Sequence, residues 1–499
     1  MTKLDGRRQE ITRQLSQSCI ARENVCKLSY NKCFPNRQLS TSSTRLAREI
    51  PIPEFHPETP IVPLMPVPLP QDNHEFWRKI PMWKDVSADQ FMSWSWSQKH
   101  HVQLHTRSNP DRFRSLISEL VPDHVPFDKS IGQMQSKEEF IDDVLAGFAC
   151  STMSVRLMPY MFSRINWNDP RHDPIFRQFI PLGSVMLPDH PMCKLDSLHE
   201  GNDSPVPGLV HRYPDKALFL ATSICPTYCA FCTRSYGVGA DTVELEKNLE
   251  FRQGRARWEA CLAHIAKTPE IHDIVISGGD SFYIGPQHII EIGLRLINMP
   301  NIKKFRFASK GLAVSPGRFL DPNDKWTDAL IYVSQQAEKA GKRMSLHTHF
   351  NHPNEISWIT EKASKRLRDA GVTVRNQSVL LRGVNDDVQT MGRLIRTLSD
   401  TLRIQPYYVY QCDMVPKAEH FRTPLRTLIN MEEELTGSIA GHDLPKFIVD
   451  LPGGGGKRNA QSGKFDPTTG ISHFKAPAVK GGDTIYTYHD PVNSLTNTH

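Results

Sequence analysis

From residue 217 to residue 411 the chain alternates short apolar runs with helical patterns, six times over, and few folds accept that order. The runs are ALFLATS (217–223), DIVISG (273–278), KFRFAS (304–309), RMSLHTH (343–349), VTVRNQSVLL (372–381) and PYYVYQ (406–411). Between them lie segments such as ARWEACLAHIAK, QHIIEIGLRLIN, WTDALIYVSQQAEKAGK and ITEKASKRLRDAG, with apolar residues at helical spacing. Six such units predict an α/β protein with a parallel sheet, either a partial barrel or a doubly wound fold. In both, chemistry gathers at the carboxyl ends of the strands. A last strand-like piece, FIVD (447–450), runs into PGGGGK.

The rest of the chain is of other kinds. Residues 1–48 carry Arg7, Arg8, Arg13, Arg22, Arg37, Arg45 and Arg48 against only Asp5, Glu10 and Glu23, with a Ser/Thr-rich stretch. That pattern reads as a mitochondrial transit peptide, with a cytoplasmic protein as the alternative. Residues 49–73 are proline-rich and read as an extended linker. Residues 74–215 are expected to be mostly helical, as in KEEFIDDVLAGFA (137–149), and residues 216–460 to form the sheet domain. Residues 461–499 are polar and Gly/Thr-rich, and are expected to be a loosely packed tail. No run of about 18 apolar residues exists to cross a membrane. The net charge of +6 sits largely at the N-terminus and does not point to nucleic acid.

Polar motifs fall where the strands should end. Cys225, Cys229 and Cys232 make C-x₃-C-x₂-C in SICPTYCAFCTRSYG, after the first strand. Three soft thiolates suit an iron–sulfur cluster or zinc, and zinc usually takes a fourth protein ligand that no nearby motif supplies. Ser277-Gly278-Gly279-Asp280 follows the second strand, and paired glycines let a ligand approach exposed backbone N–H groups. In PGGGGK, four glycines strip side chains from around Lys457. It is not a phosphate loop of Walker type, because Arg458 follows and no helical pattern does. A lysine so placed suits a Schiff base with pyridoxal phosphate (PLP), given a cationic phosphate site and a ring contact. His211-Arg212-Tyr213-Pro214-Asp215-Lys216 offers both. Asp413 and Asp450, at two strand ends, suit acid/base work, metal ligation or counter-charge for a cation. Arg234 could take a carboxylate bidentately.

The cysteine spacing, with Phe231 before the last thiol, resembles the radical S-adenosylmethionine (SAM) enzymes. With SGGD, HTHFNHPNEI, NQSVLLRGVND, PYYVYQCD, EHFRTP and FIVDLPGGGGK, residues 74–460 resemble the lysine 2,3-aminomutases, which also use PLP. The resemblance implies a partial (βα)₆ barrel preceded by helices. It implies that Cys225, Cys229 and Cys232 hold a [4Fe–4S] cluster, and that Ser277, Gly278, Gly279, Asp280, His349 and Gln377 line the SAM side. Lys457 would carry PLP, Arg212 and Lys216 its phosphate, and Tyr213 would lie near its ring. Arg234 would take the substrate carboxylate, and Asp413 and Asp450 its distal ammonium.

The implied activity is an isomerase, interconverting L-lysine and β-lysine by a SAM-derived radical while PLP carries the migrating amino group. The implied partners are an amino acid, an electron donor of flavodoxin or ferredoxin type and further copies of the chain; no nucleic acid or membrane is implied. The alternatives are an aminomutase for another amino acid and a non-catalytic iron–sulfur protein. Three departures stand out. Lys216 replaces a usual Arg, Lys310-Gly311 replace part of an Arg-x-Pro-Val pattern, and no cysteine follows Cys412, so no zinc is predicted.

Overall fold

The computed structural model describes residues 75–104, 110–248, 255–479 and 482–492. The transit-peptide and linker readings, on residues 1–48 and 49–73, lie outside these residues. No described helix is long and apolar enough to cross a membrane.

Sixteen strands are described. Two small antiparallel pairs lie in the N-terminal region: β1 (Val102–Leu104) with β4 (Val155–Leu157), and β2 (His124–Asp128) with β3 (Gln133–Ser136). The main sheet has nine strands in sequential order, from β5 (Leu209–Tyr213) to β13 (Gly456–Asn459). Its centre is parallel throughout: β6 (Lys216–Thr222), β7 (Asp273–Gly278), β8 (Lys304–Ala308), β9 (Arg343–Thr348), β10 (Thr373–Leu380), β11 (Gln405–Gln411) and β12 (Lys446–Leu451). Helices follow β6 to β11, among them Arg255–Lys267, Pro286–Asn298, Trp326–Lys339 and Trp358–Asp369. The sheet does not close on itself, so the expected partial (βα)₆ barrel is what forms, with a seventh parallel strand and an antiparallel strand at each edge.

Alternation along the strands explains the layering. One face carries Ile274, Ile276, Phe305, Phe307 and Leu346, all fully buried. They meet apolar helix stripes such as Ile289, Ile292 and Leu296. The other face is polar and lines the lumen. There Arg306 pairs with Asp273 at 3.0 Å, and the Gln377 amide nitrogen meets His347 Nδ1 at 3.2 Å. Such a face could not be buried against helices without losing its partners.

The region 74–215 carries more helix than strand but also includes both small antiparallel pairs and β5, so the boundary at 215 cuts through the β5–β6 hairpin. One expectation fails. The stretch after 460 is not loose. It forms an antiparallel sheet of β14 (Lys464–Asp466), β15 (Ile471–Lys475) and β16 (Ile485–His489). Phe474 and Tyr488 of that sheet are fully buried. Tyr488 Oη accepts from Gln411 at 3.0 Å and donates to the Cys412 carbonyl at 3.3 Å. The short alternation in ISHFK and IYTYH, hidden among Gly and Thr, is the signal behind this sheet.

Candidate active site

The three clustered cysteines lie on the loop leaving β6 and are free thiols. The loop is held from the N-terminal region: Tyr228 N–H donates to the Arg156 carbonyl at 3.1 Å and Ala230 N–H to the Gln178 carbonyl at 2.9 Å. The Cys232 thiol accepts a hydrogen bond from the Arg234 backbone N–H, and no hydrogen bond is described for the side chains of Cys225 and Cys229 among the described residues. Burial pushes all three up, Cys229 to about 12, and for Cys225 the neighbouring Asp280 and the other two thiols add to it. Among the described residues no three His, Cys, Asp or Glu side chains are grouped as one metal ion would need. A four-iron cube takes its thiolates at separate corners and does not need them to meet at one point.

The paired glycines do something other than expected. Gly279 N–H donates to the Thr222 carbonyl at 2.6 Å and Asp280 N–H to the Ile224 carbonyl at 2.9 Å. Those amides lock the end of β7 to the start of the cysteine loop and do not stand free for a carboxylate. The Asp280 carboxylate accepts from Phe282 N–H at 2.8 Å and Lys310 N–H at 2.7 Å, so it is spent on backbone too. Space explains the glycines. A Cβ on Gly278 would lie 2.1 Å from the Thr222 oxygen, and one on Gly279 would lie 2.6 Å from the Ile224 oxygen. Gly279→Ala is therefore expected to displace the cysteine loop and cost about 1–3 kcal/mol. Thermal melting and iron content would report it, against Gly285→Ala, where the nearest atom to a Cβ is 3.7 Å away. Gly311 is confined in the same way, because a Cβ there would lie 2.3 Å from the Phe282 ring.

Across the lumen the remaining predicted residues come together. His349 follows β9; its Nε2 meets Asn351 Oδ1 at 3.1 Å and its ring faces Phe231 of the cysteine loop, with centroids 6.2 Å apart. Burial, with Lys310 nearby, holds His349 well below its usual range and therefore neutral. Gln377 accepts from Tyr410 Oη at 2.9 Å, and Lys457 Nζ lies over the Tyr410 ring, 5.4 Å from its centroid. Lys457 Nζ donates to Asp450 Oδ2 at 2.5 Å, across the β12–β13 pair in which the two residues are in register. Burial alone would lower the Lys457 amine, but the charge of Asp450 holds it well above its usual range. Asp450 Oδ1 is buried without a partner. Asp413 accepts from Thr233 Oγ1 at 2.5 Å. Burial, and then the Asp450 charge, push its carboxyl up to about 7.

The glycine run before Lys457 is a built turn. Gly453, Gly454 and Gly456 all have positive φ, where side chains are disfavoured. A Cβ on Gly455 would strike the Tyr486 ring at 2.5 Å. Lys457 N–H donates to Tyr213 Oη at 2.8 Å, which joins the two edges of the open sheet.

The expected cationic groups are present but partnered. Arg212 Nε donates to Asp203 at 2.7 Å, and Lys216 Nζ meets Asp215 at 2.8 Å while lying over the Tyr213 ring. Ser277 is buried near the end of β7. Arg234 departs from expectation. Its Nε and Nη2 donate to the two oxygens of Glu200, at 2.8 and 2.5 Å, and Tyr236 Oη donates to the same carboxylate at 3.0 Å. Burial alone would raise Glu200, yet Arg234 holds its carboxyl below the usual range. One side of the Arg234 fork is thus occupied, and only its terminal edge is left for a ligand. A buried guanidinium needs a buried anion, which is why Glu200 is there. A lone Glu in LHEGND gave no sequence signal for this role.

No family model matches the chain. It is similar to L-lysine 2,3-aminomutase of Clostridium subterminale, 34% identical over 418 residues, which cover 83% of this chain and 88% of that protein. The L-lysine 2,3-aminomutase of Fusobacterium nucleatum is 39% identical over 61% of this chain and 67% of that protein. A glutamate 2,3-aminomutase of Clostridioides difficile is 28% identical over 70% of this chain and 77% of that protein. A solved structure described as native anSMEcpe with bound AdoMet superimposes with a TM-score of 0.32 and 13% identity, over 44% of this chain and 61% of that one, a likeness too remote to inform this chain. Similarity at this level over most of both chains makes the protein a member of the L-lysine 2,3-aminomutase family.

Proposed function

We propose that this chain interconverts L-lysine and β-lysine, using a [4Fe–4S] cluster, SAM and PLP. The observation that carries the substrate reading is the pair Asp413 and Asp450, within electrostatic reach of each other at two strand ends, with the Lys457 amine bonded to Asp450. The residues fit the cofactors. Three soft thiols free of disulfides suit an iron–sulfur cluster. The Lys457 amine, with Arg212 and Lys216 on the hairpin that meets it, suits PLP. His349, Gln377 and the Ser277–Asp280 turn line the side proposed for SAM. The cluster with SAM supplies a carbon radical that removes a hydrogen atom, and PLP supplies the conjugated system across which an amino nitrogen moves to the next carbon.

The chain's own residues would then position the substrate. The terminal edge of Arg234 takes the carboxylate. Asp413 and Asp450 take the distal ammonium. Two carboxylates in one partly dry site repel unless a cation lies between them. In the ligand-free site Lys457 is that cation. When the substrate ammonium takes its place, Asp450 no longer holds the Lys457 proton, and a neutral amine is the nucleophilic form. A glutamate side chain would bring a third anion to the same place. The electron must come from outside, and a flavodoxin- or ferredoxin-type donor is proposed.

Anaerobic incubation with SAM, a reductant and a panel of amino acids tests this. Turnover of glutamate or a neutral amino acid in preference to lysine would sink the reading. Asp413→Asn is expected to lower kcat/KM for lysine by on the order of a hundredfold while PLP and iron stay bound. The pH dependence has a definite sign. Asp413 is mostly neutral below about 7, so KM for lysine should fall as pH rises from about 6 to 8. Asp413→Asn should remove that trend. Because the folded carboxyl lies above its ordinary 3.8, Asp413 also costs the ligand-free fold stability as pH rises from about 4 to 7.

A further inference from the structure

Lys247 has no part in anything described so far, and its position is costly. Its side chain is only 4% exposed, between the exposed neighbours Glu246 and Asn248. Its Nζ donates to the Ser235 carbonyl at 2.5 Å and the Thr152 carbonyl at 2.6 Å, and lies 3.6 Å from Met153 Sδ. Among the described residues no carboxylate is within salt-bridge distance of that amine; Asp241, whose carboxylate accepts from the Lys247 backbone N–H at 2.8 Å, favours its charge only from further off. A buried ammonium without an anion is normally replaced or paired.

The cysteine loop is a second source of negative charge nearby. Ser235 N–H donates to the Cys232 carbonyl at 3.2 Å, so one carbonyl that holds Lys247 belongs to the turn that ends the cysteine motif. Met153, against which the amine rests, packs with Tyr228, Val238, Cys225 and Cys232. Lys247 and Cys232 lie within electrostatic reach of each other, each favouring the charge of the other. Burial lowers the amine to about 8, which leaves it charged at neutral pH. When three thiols become thiolate ligands, the loop gains a negative centre beside this fixed positive charge.

We propose that Lys247 is a built-in counter-charge of the cysteine-held iron–sulfur cluster, beside Arg156, Lys310 and Arg234, and raises its reduction potential. The inference rests on the cluster reading given above. A positive charge in a medium of low dielectric favours the state with one more electron. It therefore eases transfer from the external donor into the cluster, without touching substrate, SAM or PLP.

The test uses the full chain reconstituted with iron and sulfide, as wild type, Lys247→Arg, Lys247→Gln and Lys247→Met. Iron content is counted, and the midpoint potential is read by an anaerobic redox titration followed by electron paramagnetic resonance. The expected result is a more negative potential in Lys247→Gln and Lys247→Met, with Lys247→Arg close to wild type. Loss of iron from both neutral variants but not from Lys247→Arg also supports the counter-charge. Wild-type potential in an iron-loaded neutral variant overturns it. So does an equal shift in Lys247→Arg, or loss of iron from all three, since Lys247 would then only pin the loop. Failure of wild type to bind iron would instead defeat the cluster reading itself.

Discussion

Cys229→Ala is expected to leave a folded protein without iron. The residue lies on a loop held by backbone hydrogen bonds from Tyr228 and Ala230, which do not depend on its thiol. Two thiolates are too few to hold a cube with one iron open to SAM. After reconstitution the variant should lose its broad visible absorbance and all reductive cleavage of SAM, with its far-ultraviolet circular dichroism unchanged. Cys261→Ala serves as the control, because that buried thiol faces the Pro207 carbonyl at 3.5 Å, in another part of the fold. Retention of about four irons per chain in Cys229→Ala would show that the ligands lie elsewhere.

Lys457→Ala should produce the complementary loss. Without the amine there is no imine to anchor PLP, so its visible band should vanish while iron content stays at the wild-type level. The separation follows from geometry: Lys457 lies on β13 beside Asp450, while the cysteines follow β6. A second effect is electrostatic. Removing the amine leaves Asp413 and Asp450 facing each other without their shared cation. Melting temperature should therefore fall more at pH 8, where Asp413 is ionised, than at pH 6. A normal PLP band in this variant would move the cofactor lysine to another residue.

Much of the architecture was legible because it rests on period and spacing. Each of the six parallel runs reads as a strand because its apolar face is packed under helices, and FIVD reads as the next because it repeats that pattern. The cysteine motif and PGGGGK stand out because their chemistry needs contiguous residues. What escaped notice depends on contacts across the fold. Glu200 acts through Arg234, 34 residues away, and nothing local marks it. The glycines of SGGD suggested an open amide cradle, but their neighbour is the Thr222–Ile224 backbone, which only the folded sheet brings near. The last sheet, β14 to β16, has strands of three to five residues, too short for periodicity to separate from a polar loop.

The contact between Lys457 N–H and Tyr213 Oη spans 244 residues of sequence. Contacts of such separation carry a large loop-closure entropy and form late, after the intervening units have folded against their neighbours. During synthesis the hairpin with Tyr213 leaves the ribosome long before β13, so the seam stays open until every strand between them is in place. The lysine that would bind PLP thus reaches its position only in an almost finished barrel. If PLP binds there, partly folded chains would offer its aldehyde no ordered amine, and cofactor capture would be a mark of completed folding.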